Sequence, residues 1–248
     1  MKLTLTEPRY LKDSILIISE LVNEVNLKFS KDKVELIAMD PANVAMVVFK
    51  LLSSAFSEYN IKEERVIGIN LVNLTQILKR VKPTDILTLE LDDDRNRLRV
   101  IIKGTTTKRF ELSLLDIDEK EQKMPSLKFS ARVETNTLMF NDTIEDMDII
   151  GDSLSLQAAD SSFIVECEGT VSHGRVEINS DEETNVDAGG KAVNARYSIE
   201  YMKKIIKGGK LTNMVTLEFG QDYPLKAEYK ILDKLNLQFI LAPRTPTD

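Results

Sequence analysis

The sequence predicts an α+β protein that contains two repeated domains of antiparallel sheet, each with two helices. Alternation of apolar and polar residues, the pattern of half-buried strands, fills much of the chain. Apolar stripes with helical spacing are few and short. The order of these segments in the first half returns in the second half, which is typical of an internal repeat.

The clearest strands lie late in each half. Residues 87–91 and 98–102 alternate apolar and polar positions, and residues 110–114 follow with the same pattern. The polar stretch at 92–96 predicts a turn, so the first two strands form a hairpin with one buried face. The same three-strand pattern returns at residues 215–219, 225–231 and 235–241.

Four apolar stripes predict the helices. The first indicates a helix of about 14 residues, the second ends before Pro83, and the fourth is expected to stop at Gly208 and Gly209. The stripes are Leu11, Ile15, Ile18 and Val22; Leu71, Leu74 and Leu78; Phe140, Ile144 and Met147; and Ile199, Met202 and Ile206.

The repeat also predicts the domain boundaries. Residues 73–79 and 201–207 correspond, and three strands follow each of them. The stretch 116–125 between the copies is charged and ends in proline, so it is predicted to be a linker. We expect an N-terminal domain at 1–115, an interdomain connecting loop at 116–128 and a C-terminal domain at 129–248.

Basic residues gather on helix faces, although the formal net charge is −7. An acidic chain can bind nucleic acid only if its cations share one surface. The fourth stripe carries Lys203, Lys207 and Lys210 at helical spacing with Lys204 beside them, the second offers Lys79, Arg80 and Lys82, and the first offers Arg9 and Lys12. For any single helix, the alternative is a solvated surface.

The third stripe departs from this pattern, because its opposite face is acidic. That face carries Asp142, Glu145, Asp146 and Asp148, and it has no basic residue. The departure predicts that this helix serves a different surface from the other three.

Catalytic chemistry is poorly supported. One histidine, His173, and one cysteine, Cys167, leave no Cys-His pair and no His-rich metal cluster. The phosphate-binding glycine patterns are missing, and residues 92–94 lack the rest of a calcium loop. We expect no catalytic residue, no bound metal and no cofactor.

The compartment can be predicted from the same composition. A single cysteine excludes an internal disulfide and fits a reducing compartment. No apolar run approaches the ~20 residues that span a bilayer. The first residues also lack a secretory signal. We expect an intracellular protein that does not contact membranes.

Three stretches resemble the PCNA family of sliding clamps. They are Leu-Ile-Ala-Met-Asp-Pro-Ala-Asn-Val-Ala at 36–45, Tyr-Pro-Leu-Lys-Ala-Glu-Tyr-Lys-Ile at 223–231 and Leu-Ala-Pro-Arg at 241–244. With the repeat and the linker, the resemblance covers essentially the whole chain. The wording Asp-Pro-Ala-Asn and the short tail resemble archaeal more than eukaryotic members.

The resemblance implies a DNA clamp fold and a non-enzymatic role as a DNA polymerase processivity factor. Three subunits would close head-to-tail into a ring, and helices would line a hole that holds duplex DNA without sequence preference. A clamp loader would open the ring, and DNA polymerase, flap nuclease and ligase would bind through PCNA-interacting peptides. The expected place is the cytoplasm of an archaeal cell, at the nucleoid, or the nucleus if the source is eukaryotic.

The resemblance also implies residue roles. The basic residues implied to face DNA are Lys12, Lys79, Arg80, Lys203, Lys204, Lys207 and Lys210. The residues implied to form the partner-peptide pocket are Met39, Asn43, Val44, Met46, Met124, Leu127, Pro224, Ile240, Ala242 and Pro243. For Val44 and Met46, the alternative is an alternating strand in the core.

Ring closure is expected to pair residues 107–115 of one subunit with 172–180 of the next, which would consume two sheet edges. We hypothesise that basic residues near the first edge meet the acidic third helix near the second. The predicted interface residues are Arg80, Lys82, Lys108, Arg109, Phe110, Asp142, Glu145, Asp146, Arg175 and Val176.

Two other functions stay open from the sequence alone. The chain could serve in a heteromeric PCNA-like or checkpoint ring, because one sequence does not distinguish a homotrimer from a heterotrimer. An enzyme is the third alternative, and the missing nucleophile, metal cluster and nucleotide loop argue against it.

Overall fold

The computed structural model describes residues 1–118, 122–159 and 161–245. Within these residues the chain forms eighteen strands and four α-helices, and the strand pairs are antiparallel. The predicted α+β class with two helices in each repeat is therefore confirmed.

The first half begins with a strand and a helix, continues with five strands, and ends with a helix and three strands. Its elements are β1 (Lys2–Leu5), α1 (Arg9–Ile18), β2 (Glu24–Phe29), β3 (Lys33–Met39), β4 (Ala45–Leu52), β5 (Glu58–Asn60), β6 (Arg65–Asn70), α2 (Leu71–Leu78), β7 (Ile86–Asp92), β8 (Arg97–Lys103) and β9 (Thr107–Ser113).

The second half repeats this order. Its elements are β10 (Ala131–Asn136), α3 (Thr137–Asp148), β11 (Ser153–Ala159), β12 (Ser162–Glu168), β13 (His173–Asn179), β14 (Asn185–Asp187), β15 (Val193–Ser198), α4 (Ile199–Ile205), β16 (Met214–Phe219), β17 (Leu225–Ile231) and β18 (Leu235–Leu241). The last four elements of the two halves begin 128 positions apart, at Leu71 and Ile199, Ile86 and Met214, Arg97 and Leu225, and Thr107 and Leu235.

The chain divides into two compact units. The first holds Met1–Pro41, Val47–Met124 and Ile231–Leu237, and the second holds Ala42–Met46, Pro125–Lys230 and Gln238–Asp248. In the first unit, a five-stranded sheet has the order β5-β1-β7-β8-β9. In the second, a four-stranded sheet has the order β13-β12-β11-β15. The strands β9 and β13 therefore lie at sheet edges.

Each helix buries its apolar stripe. Phe140, Ile144 and Met147 of α3 are at most 2% exposed, and the residues of the α2 stripe are at most 3% exposed. Asn136 is the N-terminal cap of α3, and its side-chain oxygen accepts a hydrogen bond from the Leu138 N–H at 2.8 Å. Asn70 caps α2 in the same way through the Asn73 N–H at 3.0 Å. Such caps satisfy N–H groups that have no partner inside the helix.

Helix α1 is shorter than predicted. It ends at Ile18 after ten residues, and Val22 lies beyond it although Val22 is buried. The Glu20 and Leu21 N–H groups donate to the carbonyls of Ile17 and Ile18, which tightens the last turn into 3-10 geometry. The apolar spacing continued past the helix because the turn also packs into the core.

The two glycines do not stop the fourth helix. A 3-10 turn, Ile206–Lys210, follows α4 directly and contains both Gly208 and Gly209. A Cβ at Gly208 would lie 2.3 Å from the Tyr229 ring. We conclude that Gly208 is required by close packing. The α-helix ends at Ile205, before the predicted stop at Gly208 and Gly209.

Candidate nucleic-acid interface and partner surfaces

The two helices of the first unit contact each other, and Lys12 joins them. The Lys12 ammonium donates a hydrogen bond to the Val81 carbonyl at 2.6 Å, just after α2 ends. A cation near a helix C-terminus is favourable because carbonyl oxygens there lack partners. Lys79 and Arg80 are exposed nearby in sequence. Lys12 is thus positioned by the neighbouring helix.

In the second unit, the basic fourth helix is linked to the acidic third helix. The Lys203 Nζ lies 2.6 Å from the Asp148 Oδ2, and both side chains are about half exposed. This pair was not predicted from the sequence; the acidic face of α3 and the basic face of α4 were the available signal. An exposed ion pair is worth at most about 1 kcal/mol, so Lys203 can exchange Asp148 for another anion.

The other basic residues of this region differ in their surroundings. Lys204 pairs with Glu200 at 3.0 Å, and its Nζ lies 4.9 Å from the centre of the Tyr201 ring. Lys207 is half-buried and Lys210 is exposed. The 3-10 turn keeps these last two lysines on one side, because residues three apart align in that geometry.

The remaining acidic residues of α3 point to solvent. Asp142, Glu145 and Asp146 are all exposed. The end of α3 lies against β13, since a Cβ at Gly174 would meet the Met147 Sδ at 3.3 Å. The acidic helix therefore borders the edge strand of the four-stranded sheet.

The edge strand β9 is exposed along its length. Lys108 and Phe110 are half-buried and Arg109 is exposed, and no residue of β9 is fully buried. Glu111 lies 2.9 Å from the Arg97 guanidinium, whose hydrogen bond lowers the pKa of the Glu111 carboxyl. Helix α2, which precedes Arg80 and Lys82, contacts this strand.

The edge strand β13 carries charge at its start. The His173 Nε2 lies 2.6 Å from the Glu166 Oε1, and this contact is the main cause of the lowered pKa of the Glu166 carboxyl. Arg175 lies 3.3 Å from Glu177 on the same strand. Val176 is half-buried. Both edges thus present mixed polar and apolar faces with free backbone groups.

Part of the predicted peptide pocket lies within the second unit. The Ala242 N–H donates to the Val44 carbonyl at 2.9 Å, which brings residues 42–46 beside the segment after β18. Asn43, which precedes Val44, is exposed and has a φ of 57°. Of the other predicted residues in this unit, Leu127, Pro224, Ala242 and Pro243 are partly exposed.

Two predicted pocket residues are largely buried. Met46 is 5% exposed and Ile240 is 7% exposed. The burial of Met46 agrees with the alternative that it belongs to an alternating strand in the core. They can support a surface but offer little area to a ligand. Met39 and Met124 belong to the first unit, where Met39 is half-buried and Met124 is 40% exposed.

An aromatic cluster beside Pro224 was missed by the sequence analysis. The rings of Phe129 and Tyr223 lie edge to face with centroids 6.0 Å apart, and the Lys226 Nζ lies 5.5 Å from the Phe129 centroid. The signal was the position of Tyr223 directly before a predicted pocket residue. Such rings can contact aromatic side chains of a ligand.

The cysteine lies in the core. Cys167 is buried, its Sγ lies 3.2 Å from the Ser153 carbonyl oxygen, and burial raises the pKa of its thiol. Across 1–118, 122–159 and 161–245, no three His, Cys, Asp or Glu side chains are grouped as metal ligands. The helices in those ranges are all too short or too polar to cross a bilayer.

Comparison with known proteins identifies the family. The model for the N-terminal domain of proliferating cell nuclear antigen matches residues 1–123, and the model for its C-terminal domain matches 123–244. The DNA polymerase sliding clamp of Nanoarchaeum equitans is 33% identical over 99% of this chain and 100% of its own. That of Pyrococcus furiosus is 33% identical over 91% of each chain.

Solved structures show the same fold. Proliferating cell nuclear antigen from Entamoeba histolytica superposes with a TM-score of 0.92 at 22% identity, covering 98% of both chains. A chain of the PCNA2–PCNA3 complex from Sulfolobus tokodaii gives 0.89 at 24% identity, covering 98% of this chain and 99% of its own. The chain therefore belongs to the proliferating cell nuclear antigen family of DNA polymerase sliding clamps.

Proposed function

We propose that three copies of this chain close into a ring around duplex DNA and hold DNA polymerase and other replication and repair enzymes on it. Family membership makes the chain a non-enzymatic processivity factor. The observation that carries the proposal is the match of both clamp domains, end to end, over nearly the whole chain. Within it we assign domains to 1–115 and 129–248, with the connecting loop at 116–128.

The proposed DNA-facing surface consists of basic residues on or just after α1, α2 and α4. The conserved order of the two halves supports it, because Lys79 and Lys207 occupy the same place 128 positions apart. Contacts between ammonium groups and phosphates carry no sequence information, which suits a protein that must slide. Retention would come from ring closure, so a net charge of −7 is compatible with this function.

We expect the triple substitution of Lys203, Lys207 and Lys210 to glutamine to weaken binding to a short duplex. Each lost phosphate contact should reduce the slope of log K against log salt by about 0.9. Fluorescence anisotropy across a salt series measures both quantities. The matched control replaces Lys31, Lys191 and Lys230, which are exposed outside the helices. Equal effects in the two triple variants would argue for bulk charge alone.

The proposed ring interface pairs β9 of one subunit with β13 of the next. Their edge positions support it, because unpaired edges otherwise invite uncontrolled association. A heterotrimer is the alternative assembly. Native mass spectrometry distinguishes the two: a homotrimer has three times the chain mass of 28.1 kDa, whereas a heteromeric subunit stays smaller without its partners.

The proposed client site takes short PCNA-interacting peptides from polymerase, flap nuclease and ligase. In the second unit the accessible surface around Val44, Pro224 and Ala242 supports it, together with the rings of Phe129 and Tyr223. The aromatic and aliphatic side chains of the peptide would be buried there, and the linker would add backbone contacts. Met46 and Ile240 would lie beneath this surface.

A topological experiment tests the whole proposal. The protein is placed on a nicked circular duplex by an ATP-driven clamp loader and washed in high salt, which removes electrostatic binding. We expect it to stay on circles and to be released when one restriction cut linearises them. If both ends of the linear DNA carry biotin and are blocked with streptavidin, the protein should be retained again. Equal loss from circles and cut DNA would show plain electrostatic binding instead.

A further inference from the structure

The first residues after β9 are attached to the edge of another sheet. The Leu115 N–H donates to the Gly68 carbonyl at 2.9 Å, which forms an isolated bridge with β6. Two residues later, the Ile117 carbonyl accepts a hydrogen bond from the Asn26 Nδ2 at 3.3 Å. We call Asn26, Gly68, Leu115 and Ile117 the linker anchor, because residues 116–128 are the proposed connecting loop.

Gly68 makes this attachment sterically possible. A Cβ built on Gly68 would lie 2.3 Å from the Leu115 carbonyl oxygen and 2.9 Å from the Ile117 Cγ1. Real Cβ atoms do not approach backbone atoms that closely, so any side chain here must displace the linker. The φ of Gly68 is ordinary, hence the glycine serves close approach and not an unusual backbone conformation.

Asn26 lies directly opposite Gly68. The two residues are register partners in the antiparallel ladder of β2 and β6. Partners in such a ladder point their Cβ atoms to the same face. The Asn26 side chain therefore reaches across the bare Cα of Gly68 toward the linker, and the two residues hold the linker by one backbone and one side-chain hydrogen bond.

We propose that Gly68 and Asn26 are positioning residues for client binding, acting through the connecting loop. This inference rests on the proposed client site, to which Met124 and Leu127 of the loop belong. Ile117 precedes Met124 by seven positions, so the anchor fixes the chain close in sequence to the loop residues of the client site. Ordering a loop on binding costs affinity, and fixing its start reduces that cost.

The test compares Gly68→Ala with wild type in the full-length trimer. We expect a fluorescein-labelled synthetic peptide that carries the PCNA-interacting motif of an archaeal DNA polymerase to bind roughly tenfold more weakly. Hydrogen exchange at the Leu115 amide should accelerate, while native mass stays unchanged. Gly151→Ala is the matched control, because its new methyl would meet the Cys167 sulfur at 3.0 Å and its nearest neighbours belong to residues 167–169.

Asn26→Ala provides a milder second variant, which removes only the hydrogen bond to Ile117. Asn26→Ala should reduce the affinity for the peptide by a few-fold. If Gly68→Ala does not assemble into trimers, the Asn26→Ala result tests the inference. Two results would overturn the inference without affecting the proposed client site. One is a Leu115 amide that stays protected from exchange in Gly68→Ala. The other is an amide that exchanges faster while the peptide affinity is unchanged. A wild-type ring that does not bind the peptide overturns the client site, and the inference with it.

Discussion

Replacing both Asp142 and Asp146 with lysine is expected to convert the trimer into monomers. Both carboxylates are exposed on α3, whose end borders the edge strand β13. In the proposed ring they meet Arg80, Lys82, Lys108 and Arg109 of the next subunit. The double substitution exchanges attraction for repulsion at every interface. Like charges placed opposite one another across an interface cost several kcal/mol, so the ring should be lost at micromolar concentration.

Native mass spectrometry or light scattering measures this result. The matched control replaces Asp93 and Asp94 with lysine, because both lie at the exposed tip of the β7–β8 hairpin and the charge change is equal. Adding Lys108→Glu and Arg109→Glu to the interface variant should restore trimers. A trimer that persists in the Asp142→Lys, Asp146→Lys variant would contradict the hypothesis and leave the acidity of α3 as surface solvation.

Asp148 is kept out of that experiment because it has an intrachain partner. The Asp148 Oδ2 lies 2.6 Å from the Lys203 Nζ, so the ion pair links α3 and α4 of the same unit. The acidic face of α3 therefore has two parts: Asp148, which is paired with Lys203 of α4, and the exposed residues Asp142, Glu145 and Asp146. The substitutions are confined to the second part, so that the ion pair within the subunit stays intact.

The repeat was predictable from sequence because each half buries the same kinds of residues at the same spacing. Alternation with period two and stripes at helical spacing follow directly from the geometry of strands and helices. The α1 end was not predictable in the same way. The apolar residue at position 22 indicates a buried position. A buried position can belong to a helix or to the tight turn that follows it, so the pattern does not show where α1 ends.

The candidate sites were predictable only where chemistry is carried by residue type. Lysines on a helix face are visible in sequence, but the Lys203–Asp148 pair depends on which helices are neighbours. Likewise, Met46 and Ile240 look like pocket residues in the family pattern, and only the structure shows that they are 5% and 7% exposed. The close approach at Gly68 is not visible in the sequence, because the backbone that it contacts lies nearly fifty residues away along the chain.

The packing of the 3-10 turn after α4 leads to a second large effect. Gly208 lies against the Tyr229 ring, where a Cβ would be 2.3 Å from one ring carbon and 2.4 Å from another. Tyr229 is fully buried and packs against Phe239 with ring centroids 6.3 Å apart. Because the ring is buried and packed, an added methyl at Gly208 must shift the ring or the turn itself, and we expect the turn to move.

We expect Gly208→Ala to lower the free energy of unfolding by about 1–3 kcal/mol, the usual cost of overpacking a core. Lys207 and Lys210 lie in the displaced turn, so DNA affinity should fall as well. Chemical denaturation at fixed protein concentration measures the stability, since assembly also contributes to it. A Gly208→Ala protein as stable as wild type would show that the turn adapts without strain.

Tyr229→Phe is the companion experiment and should act in the opposite direction. The Tyr229 hydroxyl is buried and finds no hydrogen-bond partner among the residues that the structure describes, and burial raises the pKa of the phenol. An unsatisfied buried hydroxyl costs about 1–3 kcal/mol, so its removal should stabilise the protein while the ring keeps its contacts. Combined with Gly208→Ala, it should not rescue the turn, because the clash involves ring carbons and not the hydroxyl. A loss of stability in Tyr229→Phe would instead reveal a bound water or another partner for that oxygen.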